Sequence, residues 1–264
     1  MITFNNLGNL GRLANQMFQY ASLKGIAVNR GFDFCIPPES RFGEIDPLVK
    51  NDPLNLYSCF HVDEKSTLGM YPNQMLHERM HTFDEELFNN CPDNVDLFGY
   101  YQSPKYFNHI QDEIRKDFSF PKELNDTCDD VINTLGGGDV ISLHIRRTDY
   151  IANPNHPLQP MEYYLNALEQ LPELPVIVFS DDPEWCDEQD EFDSDRFAIS
   201  YNSVDLDLCL MTKCKYHIIA NSSFSWWGAW LAKSKKVFAP KNWFGASCKH
   251  KSVEDMVFGD WVWL

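Results

Sequence analysis

Between Val140 and Ala239 the sequence alternates short apolar, β-branched runs with stretches of helical periodicity: Val140 to Ile145, Met161 to Leu171, Pro175 to Ser180, Leu206 to Lys213, Tyr216 to Ala220, Ser223 to Lys233 and Lys236 to Ala239. Few folds accept that rhythm. Apolar runs of this kind are strands buried on both faces, and a helix between one strand and the next supplies the crossover that parallel pairing requires. A weaker form of the pattern opens the chain. Met1 to Phe4 is a short apolar start, Gly8 and Gly11 lie in a polar loop, and Met17, Tyr20, Ala21, Leu23 and Ala27 form a stripe in a helical pattern from Asn15 to about Asn29. Phe32 to Ile36 reads as a second strand stopped by Pro37-Pro38, Val95 to Tyr101 as a third, and Pro104 to Phe118 as a helix packing Tyr106, Phe107, Ile110, Ile114 and Phe118. Glu39 to Asn94 is polar and irregular and yields no assigned element; His61, His77 and His81 within it are read as surface residues. Pro121 to Gly138 is acidic, holds a short apolar helix and ends in three glycines, a loose joint. We therefore expect two Rossmann-like α/β halves facing each other across a cleft, residues 1–135 and 136–264.

In open α/β sheets ligands sit beyond the carboxyl ends of the strands, which draws attention to Val140-Ile141-Ser142-Leu143-His144-Ile145-Arg146-Arg147-Thr148-Asp149-Tyr150. The buried run ends there in a burst of charge. Two adjacent guanidiniums, always charged and able to bind phosphate oxygens two at a time, point to an anion. That anion must be gripped locally, because the chain carries a net charge of −17, which argues against a nucleic-acid partner. Asn221-Ser222-Ser223 follows another strand and opens an aromatic-rich helix, leaving backbone N–H groups free for a phosphate while also serving as a cap; Trp226, Trp227 and Trp230 read as interior packing. Asp205-Leu206-Asp207 has the D-x-D form that holds a divalent cation in many glycosyltransferases. Asp207, however, opens a helical run, where the helix dipole favours an acid. The eight cysteines are scattered without C-x-x-C spacing and sit in apolar segments, so they read as small hydrophobes. No apolar run approaches the roughly 20 residues of a membrane span, and the N-terminus lacks a signal-peptide pattern. A cytoplasmic protein is expected, one that could lie against a membrane.

Three blocks carry a resemblance. His144-Ile145-Arg146-Arg147-Thr148-Asp149-Tyr150 resembles the H-x-R-R-x-D-Y motif of the α1,2-fucosyltransferases, and Gly11-Arg12-Leu13-Ala14-Asn15-Gln16-Met17-Phe18-Gln19-Tyr20-Ala21 and Asn221-Ser222-Ser223-Phe224-Ser225-Trp226-Trp227-Gly228-Ala229-Trp230 resemble that family's other signatures, in the same order. Gly99-Tyr100-Tyr101-Gln102-Ser103 and Phe179 to Cys186 add weaker matches. The resemblance implies the glycosyltransferase B class and an inverting, metal-independent transfer of L-fucose from GDP-β-L-fucose to the 2-hydroxyl of a terminal galactose in a glycan. It implies no cofactor beyond that co-substrate. By the same resemblance Arg12, Asn15, His144, Arg146, Asp207, Ser222 and Ser223 bind the donor, with Asp207 accepting from guanine. Arg146 leads in stabilising the leaving diphosphate, and Arg147 and Asp149 hold the loop through a mutual ion pair. Ala14 stands where the family usually has glycine, at a cost of about 1 kcal/mol if that position needs positive φ. Related core α1,6-enzymes place a glutamate shortly after the shared motif, whereas Ile151 to His156 has no acid. His156 and Asp149 are the nearest groups able to act as general base. The alternatives are a non-catalytic GDP-sugar or glycan-binding module, and a hydrolase or transferase with another donor or linkage.

Overall fold

The computed structural model describes residues 1–44, 54–60, 62, 72–248, 251–256 and 258–264, which form two compact units. His61 and parts of the unassigned 39–94 stretch lie outside the described residues. The first unit comprises Met1–Pro121 and Lys251–Met256, the second Lys122–His250 and Val257–Leu264.

The first unit runs β1 (Ile2–Thr3), α1 (Leu13–Arg30), β2 (Phe34–Cys35), α2 (Leu56–Cys59), β3 (Gln74–His77), α3 (Glu85–Asn90), β4 (Val95–Phe98) and α4 (Gln111–Asp117). Its sheet has the order β2-β1-β4-β3 with every pair parallel. Because Met17, Phe18, Leu23, Ile26 and Ala27 are fully buried, α1 is a core helix, not a surface one. It stops at Gly31, which takes φ 68° and returns its N–H to Val28, the left-handed C-terminal cap for which glycine is suited. Gly25 lets the helix touch another backbone: a Cβ there would lie 2.0 Å from the Tyr106 carbonyl oxygen. The helix expected over 104–118 is instead two 3₁₀ turns, Pro104–Tyr106 and Asn108–Ile110, followed by α4. Phe107 at φ −131°, ψ 4° breaks the helical path between them, yet the five apolar residues expected on its inner face are all buried.

The second unit runs α5 (Lys122–Thr134), β5 (Ile141–Ile145), α6 (Met161–Leu168), β6 (Val176–Ser180), α7 (Pro183–Asp187), β7 (Phe197–Ile199), α8 (Val204–Lys213), β8 (Tyr216–Ile218), α9 (Ser223–Leu231), β9 (Lys236–Ala239) and β10 (Val262–Trp263). Its sheet order is β10-β9-β8-β5-β6-β7, again wholly parallel. Ile141, Leu143, Val176, Val178, Ile218 and Phe238 pack beneath Tyr163, Tyr164 and Ala167 of α6. Trp226, Trp227 and Trp230 of α9 are interior, at most 1% exposed. All eight cysteines are free and buried. The break between the units falls at 121/122, and not at 135/136, because α5 packs on α8: Cys128 is fully buried and Asp129 pairs with Lys213 at 2.8 Å. The three glycines therefore lie inside the second unit, between α5 and β5.

The second sheet reverses direction once. From β5 the chain builds outward through β6 and β7, then returns to place β8 on the other side of β5. In the first sheet β1 is likewise flanked by β2 and β4. At such switch points the loops beyond neighbouring strands part and leave a crevice.

Candidate active site

In the second unit the switch point lies between β5 and β8, whose carboxyl ends lead into the Arg146 loop and into Asn221-Ser222. His144, the fourth residue of β5, is 3% exposed, and its Nδ1 lies 2.8 Å from the Ser225 hydroxyl on the first turn of α9. Burial, reinforced by repulsion from Arg146, pulls its pKa down to about 3, so the ring is neutral across the physiological range. The Arg146 guanidinium is held on three sides. Nη2 meets Asp149 at 2.7 Å, Nη1 meets Asp181 at 3.3 Å, and the charge lies 5.6 Å from the centre of the Tyr150 ring. Burial pushes the Asp181 carboxyl up, but the Arg146 charge, the Thr148 hydroxyl and the Arg147 N–H outweigh it and hold it below its usual value.

An Arg147–Asp149 pair does not form. Side chains of successive residues leaving a strand turn to opposite sides, so Asp149 goes to Arg146. Arg147 instead bonds Asp182 at 2.9 Å and stacks 3.7 Å over the Trp185 ring. Tyr150 links the two loops of the switch point, its hydroxyl donating to the Asn221 carbonyl at 3.0 Å. The Asn221 amide in turn donates to the carbonyls of Pro157 and Trp243, each at 3.0 Å. His156 stacks on the Tyr150 ring at 5.0 Å, so the loop that carries it is fastened to the same tyrosine. Ser222 caps α9 by accepting from the Phe224 N–H at 3.3 Å, and Ser223 is the first residue of the helix. Arg146, His144, Ser222 and Ser223 are thus brought to one switch point. The site also contains Asp181, Asp182, Tyr150 and Ser225, to which the sequence reading gave no role, although Tyr150 and Ser225 stand in the quoted blocks and Asp181-Asp182 in the weaker match over Phe179 to Cys186, directly after β6.

Asp207 sits in the first turn of α8, 8% exposed, accepting from the Ser200 hydroxyl at 2.5 Å. Burial pushes its pKa up to about 7, against the pull of Ser200 and Asn202. Asp205 and Asp207 are two apart on a helix and point to different sides, so they do not converge on one cation. Among the described residues no three His, Cys, Asp or Glu side chains gather as a metal-ligand set.

The first unit builds its own switch-point loop. Gly8 and Gly11 take φ near 80°. A Cβ on Gly11 would lie 2.3 Å from the Asn15 amide nitrogen, so the glycine lets Asn15 fold back over the turn. Gln102 donates to the Asn15 Oδ1 at 2.7 Å, and Gln19 donates to the carbonyls of Leu10 and Gly99, at 2.9 and 3.2 Å. The buried glutamines of the Asn15-Gln16 block therefore serve as scaffold for the loop, while Arg12, the N-cap residue of α1, is exposed. Ala14 lies inside the helix and is not among the positive-φ residues, so alanine there carries no backbone penalty.

The model of the family described as glycosyl transferase family 11 matches residues 2–264. An α-1,2-colitosyltransferase of Escherichia coli is 31% identical over 263 residues, covering 89% of this chain and 90% of its own. Galactoside α-(1,2)-fucosyltransferase 2 of Sus scrofa is 25% identical over 247 residues, covering 87% of this chain and 70% of its own. A crystal structure of POFUT1 in complex with GDP-fucose superposes with a TM-score of 0.56 at 12% identity, over 88% of this chain and 94% of that one. That likeness concerns the fold, which is of the glycosyltransferase B type, as the sequence led us to expect.

Proposed function

The chain belongs to glycosyl transferase family 11, and on that premise we propose that it moves L-fucose from GDP-β-L-fucose to the 2-hydroxyl of a terminal galactose in a glycan, with inversion at the transferred carbon. The observation that carries this reading is the fixed Arg146 guanidinium at the same switch point as the serines opening α9. A single displacement needs negative charge on the departing diphosphate to be met by donors already in position, commonly the largest catalytic term. Arg146, oriented by two carboxylates and an aromatic face, does this without a metal, with the N-terminal N–H groups of α9, Ser222 and Ser223 adding to it. His144, neutral and bonded to Ser225, lies beside the nucleotide as a donor or acceptor, not as a charge. Arg12 and Asn15 contribute from the glycine loop, and Asp207 accepts from guanine. Of the two candidate bases, Asp149 is engaged with Arg146, so the proton of the acceptor hydroxyl is assigned to His156.

A second reading concerns the donor sugar alone: the 31% identity to a colitosyltransferase supports colitose in place of fucose. Both readings are tested by incubating the protein with GDP-fucose and with GDP-colitose against a panel of galactosides and reading the product linkage by NMR. Acceptor-dependent GDP release with a new α1,2 linkage supports transfer. Release of the free sugar without an acceptor marks a hydrolase, and saturable GDP binding without turnover marks a binding module; either result would sink the transferase reading.

A further inference from the structure

Behind Arg147 the second unit holds a cavity of about 150 Å³, lined by Arg146, Arg147, Gln159, Tyr164, Gln189 and Glu191 together with apolar groups that include Met161 and Trp185. It lies on the β6 side of β5, away from the β8 side where α9 begins. None of the roles given above uses it.

Its size excludes a nucleotide. Pockets for drug-sized ligands run to about 300–1,000 Å³, whereas a space near 150 Å³ is about what accepts one six-membered ring. The lining sets the chemistry. Tyr164, 2% exposed, is part of its wall. Gln159 donates to the Pro157 and Asn242 carbonyls, at 3.4 and 2.9 Å, which uses both of its amide N–H groups, whereas Gln189 donates one, to the Trp185 carbonyl at 2.7 Å, and keeps a second. Gln159 is therefore left with its carbonyl oxygen, an acceptor, and Gln189 with a carbonyl oxygen and one N–H. The two guanidiniums of the wall are already paired, Arg147 with Asp182 and Arg146 with both Asp149 and Asp181, and the Glu191 carboxylate adds a further negative charge. Paired guanidiniums and a surplus negative charge disfavour an anion, and a wall that holds both donors and acceptors suits a neutral ring rich in hydroxyl groups, which are both. An apolar ring is disfavoured too, because Arg147 occupies a face of Trp185.

We infer that this cavity is a subsite for one neutral pyranose of the acceptor glycan, a sugar other than the one that receives the transferred group. The assignment to the acceptor rests on the transferase reading above, since Arg146 walls both the cavity and the proposed donor site.

The test uses the full chain saturated with GDP and lactose as probe, with binding read by saturation-transfer NMR. Glu191→Gln keeps size and sits on the surface, and Gln189→Leu removes one acceptor. Each should weaken lactose binding about five- to tenfold, the effect of one lost hydrogen bond, and Met161→Trp, which fills the space, should abolish it while GDP affinity stays unchanged. In turnover, the KM for lactose should rise in the first two variants, while the KM for methyl β-galactoside, a single ring, and kcat stay at wild-type values. Unaltered lactose binding in Glu191→Gln and Gln189→Leu, or an equal change in KM for both acceptors, overturns the assignment. If the wild-type protein transfers no sugar yet lactose binding follows these variants, the cavity remains a pyranose site and it is the transferase reading that falls.

Discussion

The Asp207 carboxyl offers the sharpest test of where the nucleotide is read, because two opposite pH dependences meet in it. Its pKa in the folded chain is about 7, raised from 3.8 chiefly by burial. The folded state therefore holds a proton that the unfolded chain has released, and this group's contribution to stability falls as pH rises from about 4 to about 7. The ceiling of that loss is about 4 kcal/mol, from 1.36 kcal/mol per pKa unit. Without ligand, Asp207→Asn should melt at or above the wild-type temperature at pH 8, since it carries no charge to bury. Guanine changes the sign. A carboxylate accepting from N1–H and the exocyclic amino group must be ionised, so binding below pH 7 has to expel the proton. At pH 6 about one molecule in eleven is already ionised, which weakens GDP binding about tenfold relative to pH 8. The Asn variant loses an acceptor and should bind about ten- to a hundredfold more weakly at pH 8, with a much smaller gap at pH 6. Titration calorimetry at both pH values, in buffers of different ionisation enthalpy, reads affinity and proton release together; the difference between wild type and variant cancels the ionisation of GDP itself. Equal GDP affinity in the two proteins at pH 8, or a gap that does not close at pH 6, would refute the guanine contact.

Replacing Arg146 by lysine should cost about 10²-fold or more in turnover although the charge is kept, because a point charge cannot hold Asp149, Asp181 and a phosphate at once; near-normal kcat in the folded variant would remove Arg146 from the site. Turnover should survive excess EDTA, and complete loss restored by Mn²⁺ would revive a metal role for Asp205 and Asp207. Gly25→Ala should lower stability by about 1–3 kcal/mol through the clash with the Tyr106 carbonyl, seen as a lower denaturant midpoint; an unchanged midpoint would show that α1 can shift at no cost.

Much of the second unit was legible because strands buried on both faces must be apolar throughout. β5, β6, β8 and β9 announce themselves in this way. The strands that escaped notice are edge or near-edge elements: β3 reads Gln-Met-Leu-His and is largely exposed, β7 has three half-buried residues, and β10 has two. An edge strand is held by backbone pairing and leaves little pattern in its side chains. The unit boundary misled for a related reason, since glycines signal freedom of the backbone, whereas membership of a unit is decided by packing, and α5 needs α8 to bury Cys128. At the site, Arg146 and His144 were visible in one motif, but their partners Asp181 and Ser225 lie far along the chain. They become neighbours only once β5 pairs with β6 and β8. The partner of each arginine could not be read from spacing, because it depends on which way a side chain leaves the strand.

After β9 the chain returns to the first unit, where Asp255 accepts from the Phe83 N–H and pairs with Lys105 at 2.5 Å, and then re-enters the second to add β10. Neither unit is therefore a continuous piece of the gene. A stop codon after His250 would strip an internal brace from one unit and a sheet strand from the other in a single event, so damage at the C-terminus cannot be confined to the half in which most of the preceding sequence folds. An attempt to produce the second unit alone by cutting at 121/122 would carry with it a six-residue passenger whose native surroundings are in the part discarded, and rejoining His250 to Val257 by a short linker is the design that the route of the chain dictates.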